Sequence, residues 1–273
     1  MKKQDILTPI GLLLGICLIL LGISNSDTGL SGFYDGISIV ITVGGSFAAL
    51  LVTFSLDDMK LLLKMTKKLF TTSKTSKVDI IDTFKYLSMK SRKDGLLAIE
   101  LDVEKLEDEF MRSGLQLVID GIDSELTVDI LNSKISEVEN TYNKGAKIYK
   151  TWGSYAPAFG MIGTLIGLIQ MLAQLNNADM IAAGMAKALI TTFYGALLAN
   201  LVLNPLGFNL QNKAEREAED KEMILVGILS IKNAESTRIL EEKLTSFLSV
   251  EERIKYLNGD NKKGRKRTGI DAA

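Results

Sequence analysis

The chain has 273 residues, 47% of them hydrophobic, and a formal net charge of -1. A balance this close to zero gives no electrostatic case for nucleic-acid binding. With no histidine and one cysteine, Cys17, the sequence cannot build an intramolecular disulfide, a Cys/His metal site or a histidine-based triad, and it has no glycine-rich phosphate loop. It reads as non-enzymatic, with no metal and no organic cofactor.

Charged and apolar residues fall in separate blocks. The first apolar run, 6–23, follows MKKQD and has the outline of a signal peptide. It is too long for a signal core, and Gly22-Ile23-Ser24-Asn25 is a poor cleavage site, so a retained membrane helix opened by Pro9 is expected. A second uncharged run covers 36–54. The stretch 55–150 is rich in Lys, Glu, Leu and Ile and lacks proline. Apolar residues recur there at helical spacing: Ile80, Ile81, Phe84 and Leu87, then Leu97, Leu101 and Phe110, then Leu131, Ile135 and Val138. Several amphipathic helices are predicted, the last continuing directly into a third apolar run, 154–175. A fourth, 183–208, carries one charge, Lys187. Another long helix is expected after Gly207, and the ending NKKGRKRTGIDAA is too poor in apolar residues to fold.

Each of the four runs approaches the roughly 20 residues that cross a bilayer. Basic residues avoid the links between runs one and two and between runs three and four, and gather on the remaining segments. By the enrichment of Lys and Arg on cytoplasmic flanks, both termini and the large middle region belong in the cytoplasm. The expected protein is an all-α integral membrane protein. Spans one and two lie in 1–54, a cytoplasmic helical domain in 55–153, and spans three and four in 154–208. Cytoplasmic helices in 209–258 and a basic disordered tail in 259–273 complete it.

Spans three and four carry small and hydroxyl residues at helical spacing: Gly160, Gly163, Thr164 and Gly167 on one, Thr191, Thr192, Gly195 and Ala199 on the other. The glycines fit plain close packing of membrane helices. The threonines can bond their own backbone, lend oxygens to a partly dehydrated cation, or hydrogen-bond a partner's carboxylate. Neither span contains Asp or Glu, so a carboxylate for an ion path would come from another chain. Pro157 and Pro205 end these spans as candidate hinges. Gln170 and Gln174 form a polar mouth or an interfacial anchor, and Lys187 is read as snorkelling. In the middle region, Arg92 and Lys93 precede Gly95, and a run of acids beginning at Glu100 follows it. Such a run is a solvated face or a bipolar docking surface.

The segments YAPAFGMIGTLIGLIQML, ALITTFYGALLANLVLNPL, SRKDGLLAIE and GILSIKNAESTRILEEKLTSFLSVEER resemble the motility protein A family (MotA/PomA) of flagellar motor stators. FYDGISIVITVGGSFAALLVTF, with Asp35 and Gly44-Gly45, adds weaker support, and the likeness covers about 6–253. The resemblance implies five copies around the membrane helices of two copies of motility protein B (MotB/PomB). That partner would supply the ion-carrying aspartate and anchor to peptidoglycan. It implies that Pro157 and Pro205 match the family's conformational prolines, that Arg92 and Glu100, beside Lys93, match the charges engaging the rotor protein FliG, and that Thr164, Thr191 and Thr192 face the pore. The transported cation would be a proton or sodium. Two departures stand out: the family often has prolines at Ser236 or Thr237 and at Val250, and more often an apolar residue at Lys187. Two other readings remain: an ExbB/TolQ-type energiser, which typically has one span before its cytoplasmic region, and a non-conducting scaffold, which would tolerate bulky apolar residues at Thr164 and Thr191.

Overall fold

The computed structural model describes residues 6–25, 29–71 and 76–268, with side chains as far as 259. Ten helices are described, and no β-strand occurs among the described residues: α1 (Leu7–Ser24), α2 (Leu30–Thr53), α3 (Leu56–Leu69), α4 (Lys77–Asp94), α5 (Glu100–Glu104), α6 (Glu109–Ile119), α7 (Ser124–Leu172), α8 (Ala178–Lys232), α9 (Thr237–Thr245) and α10 (Val250–Thr268). Four of them, α1, α2, α7 and α8, are long and apolar enough to cross a membrane. The expected continuity into the third span is present, since α7 runs for 49 residues without a break. The helix expected after Gly207 is not separate: α8 carries the fourth span onward for 55 residues. Its end of the tail differs too, because α10 extends to Thr268; residues 269–273 lie outside the described residues.

The chain forms two compact units, 1–72 with 140–214 and 73–139 with 215–273. In the first, α1 is apolar on every side and buries no residue within this chain, as expected of a helix whose other neighbours are lipid or further subunits. It touches α8 where Leu201 fills the space beside Gly15 and Asn209 donates to the Thr8 hydroxyl at 2.7 Å. Helix α2 opens with one 3-10 turn, Leu30–Phe33, and is capped afresh by Asp35, whose carboxylate accepts the Ser38 N–H at 2.9 Å. It then loosens into a π-helical segment, Val40–Gly44. Ser38, Thr42 and Ser46, spaced four residues apart, are fully buried along one stripe. In an apolar surrounding these hydroxyls need partners. Thr42 donates to the Thr191 carbonyl at 3.4 Å, and Ser46 accepts from the Trp152 indole at 3.1 Å. Helix α3 starts at a capping box between Ser55 and Asp58 and packs Met65 against Gly145 of α7.

The second unit is an ordinary helical core. Ile80, Ile81, Phe84 and Leu87 of α4 meet Phe110, Met111 and Leu115 of α6, Ile224 and Ile228 of α8, and Leu240 and Leu244 of α9. Gly227 lets the Phe84 ring approach α8, and Gly114 admits Ile228. The periodicity misleads at one place. Leu97 and Leu101 are 73% and 67% exposed, while Ile99 and Val103 are buried. The chain turns at Gly95, with φ of 91°, and enters a 3-10 turn, Leu96–Ile99, whose three-residue period rotates the apolar face relative to α4. Ser236 caps α9 and Ser249 caps α10 through Glu252, leaving Thr237 and Val250 as first helical residues. That position tolerates proline best. At both places α9 and α10 thus start behind a serine cap.

Candidate ion pathway

Spans three and four approach at backbone distance. A Cβ at Gly160 would lie 3.0 Å from the Thr191 carbonyl oxygen, one at Gly167 2.9 Å from both the Ala188 nitrogen and the Gly184 oxygen, and one at Gly195 2.7 Å from the Ala156 oxygen. Gly163 faces the Thr191 side chain in the same way. Ala199 is buried on the same helix. The four glycines lie where the two spans meet, and Gly184 joins them.

The close approach gathers three hydroxyls on one carbonyl. Ala188 O accepts from Thr191 at 2.9 Å, Thr164 at 3.1 Å and Thr192 at 3.4 Å, and the Thr164 and Thr192 hydroxyls are 2.5 Å apart. A carbonyl oxygen has two lone pairs, so the three donors compete for it, and Thr164 and Thr191 have the Gly160 and Lys187 carbonyls, each at 3.1 Å, as alternative acceptors. The three differ in exposure. Thr191 is fully buried between α2 and α7. Thr164 is half-buried and Thr192 exposed. Thr164 and Thr192 form an open pair of hydroxyls, and Thr191 stands behind them.

Pro157 and Pro205 lie at one end of this helix pair. Pro157 sits inside α7 and leaves the Gly153 carbonyl without its helical donor. Its Cα would be 3.1 Å from a Cβ on Gly195, and Gly153 itself faces the Asn204 side chain. Pro205 lies two residues past a π-helical segment of α8, Leu198–Leu203, whose wider turn absorbs the missing N–H. It also borders a cavity of about 390 Å³ shared with Leu7, Thr8 and Leu12 of α1.

A second cavity of about 670 Å³ opens at the opposite end, between Asp35, Gln170, Gln174, Gly184 and Lys187. The glutamines line one wall as a polar mouth. Lys187 is half-buried and lines this cavity together with Asp35. Asp35 and Lys187 stand 152 positions apart (187 − 35), so spacing carries no signal that they share a cavity.

In the second unit, Arg92 and Lys93 project into solvent beside Gly95, and Glu100 is half-exposed at the start of α5. None of the three is tied by an ion pair among the described residues. Their neighbours are. Lys90 bonds Asp102 at 2.6 Å, and Tyr86 donates to the same carboxylate at 3.3 Å, which ties α4 to α5 across the Gly95 turn. This contact holds the Asp102 carboxyl below its usual range and raises Lys90. Nothing in its spacing distinguishes Lys90 from the other lysines of this region.

Residues 102–223 match the family model of the MotA/TolQ/ExbB proton channel family. The chain is 39% identical over 250 residues to Motility protein A of Borreliella burgdorferi, covering 92% of this chain and 96% of that one. It is 39% identical over 255 residues to YtxD of Bacillus subtilis, covering 92% and 93%. Its structure is similar, with a TM-score of 0.86 at 27% identity, to a chain of the flagellar MotAB stator complex from Bacillus subtilis, covering 90% and 97%. The chain belongs to the motility protein A family.

Proposed function

We propose that the chain is the ion-conducting stator subunit of a bacterial flagellar motor, working in the cytoplasmic membrane with a MotB-type partner. The observation that carries this is the open Thr164–Thr192 hydroxyl pair on a close-packed helix pair that has no carboxylate of its own. A cation, proton or sodium, passes between these hydroxyls and the ion-carrying aspartate of the partner. Thr191 holds the geometry from behind. Both termini and the second unit lie in the cytoplasm, which the distribution of Lys and Arg supports. Five copies surround two partner helices, and each ion passage steps this ring. Pro157 and Pro205, at the cytoplasmic ends of their spans, are the places where the helices give. Arg92 and Lys93, exposed, and Glu100, half-exposed, none of them held in an ion pair among the described residues, engage FliG by charge complementarity. The two spans that precede the large helical region favour this over an ExbB/TolQ-type energiser.

Deleting the chain from its own bacterium tests the reading. Intact flagella that do not turn, rescued by a plasmid copy, are expected. Unchanged swimming in a cell with no second stator set would overturn it.

A further inference from the structure

The cavity between Asp35, Gln170, Gln174 and Lys187 has room for roughly 20 waters, at about 30 Å³ each. Its polar groups are built in. Asp35 is fixed as the cap of α2 by the Ser38 N–H and hydroxyl, and its own N–H is held by the Tyr194 hydroxyl at 3.3 Å. Lys187 is half-buried one helical turn before Thr191, whose hydroxyl donates to the Lys187 carbonyl at 3.1 Å. The Lys187 ammonium makes no hydrogen bond or ion pair among the described residues, yet Lys187 lines the same cavity as Asp35.

Fixed charges in a narrow, water-filled recess with low-dielectric walls control the local concentration of mobile ions. Asp35 alone would concentrate cations here. With Lys187 present, the formal charges of the lining residues are one negative and one positive, so the recess is neutral. We propose that Lys187 is a specificity-determining residue of the pathway, whose tethered ammonium cancels the pull of Asp35 on cations and so sets how much external cation the motor needs. The inference rests on the stator reading above. It places this recess on the external side of the pathway.

The test is the rotation rate of tethered cells whose stator is this chain with its partner, measured as the external driving cation is lowered (sodium at fixed pH, or protons where sodium has no effect). Lys187→Gln is expected to lower the half-maximal cation concentration about three- to tenfold, and Lys187→Glu further, while Lys187→Arg stays at the wild-type value. Added choline chloride narrows these differences, because screening acts on charge and not on shape. Wild-type values for both the Gln and Glu variants, or an Arg variant shifted as far as Gln, would overturn the proposal while leaving the stator reading intact. Failure of the wild-type chain to turn a flagellum would instead remove the stator reading.

Discussion

At the residue scale, three threonines that look alike in the sequence separate into two roles. Thr191 has no exposed surface, and its side chain fills the space left by Gly163. Thr191→Leu is therefore expected to overpack the contact and cost about 1–3 kcal/mol, read as less chain in the membrane fraction. Thr164→Val and Thr192→Val keep nearly the same volume and leave that packing alone. Each is expected to insert normally and to reduce rotation severalfold, checked by tethering cells. A bulky residue at Thr191 cannot decide between conductor and scaffold, because it fails on packing in either case. Only Thr164 and Thr192 can. The spacing of the hydroxyls was visible in the sequence, but which of them the second span covers was not. That depends on Thr42, which bonds Thr191 across 149 residues. Gly195→Ala places a methyl 2.7 Å from the Ala156 oxygen. Backbone cannot yield as a side chain can, so a loss of roughly 1–3 kcal/mol in the helix pair is expected, seen as earlier thermal unfolding in detergent.

At the scale of elements, caps and side-chain ties account for the second unit. Val250 is the first residue of α10, 77% exposed, behind a Ser249 cap. Val250→Pro should leave unfolding unchanged or raise stability by about 0.5 kcal/mol, whereas Ser236→Ala should cost about 1 kcal/mol by uncapping α9. Tyr256 donates to Glu241 at 2.7 Å, and Lys85 reaches both, joining α4, α9 and α10. Burial and the Glu241 carboxylate push the Tyr256 phenol well above its usual value. Tyr256→Phe removes both hydrogen bonds of the phenol, to Glu241 and from Lys85, and should lower stability by about 1–2 kcal/mol in urea unfolding. The Lys90–Asp102 tie depends on pH. Asp102 is depressed, so its contribution is present above the unfolded carboxyl value and lost as pH falls through the folded one. Lys90 is raised, so its contribution is present below the unfolded lysine value and lost only as pH rises through the folded one. The tie spans neutral pH and opens in acid below about pH 4, which protection factors of amide exchange across 95–100 would register. Most helices were legible because burial on one face imposes a period of 3.6. The exceptions follow from local geometry: the 3-10 turn after Gly95 exposes Leu97 and Leu101, and the π-helical segment before Pro205 carries α8 through a residue that would otherwise end it.

At the scale of the whole molecule, the segregation of charge into blocks made the four apolar helices legible. The absence of Asp and Glu from spans three and four gave the expectation of a partner's carboxylate. Neither shows that Lys187 and Asp35 line one cavity, because a lone lysine in an apolar run carries no sign of what faces it. The proposed function has cations pass along the open Thr164–Thr192 pair. Its most direct test is cation uptake and flagellar rotation in cells that express the Thr164→Val, Thr192→Val double variant together with the partner subunit. The expected result is normal insertion and co-purification with the partner, stationary flagella and uptake at background. Wild-type rotation with wild-type uptake would contradict it.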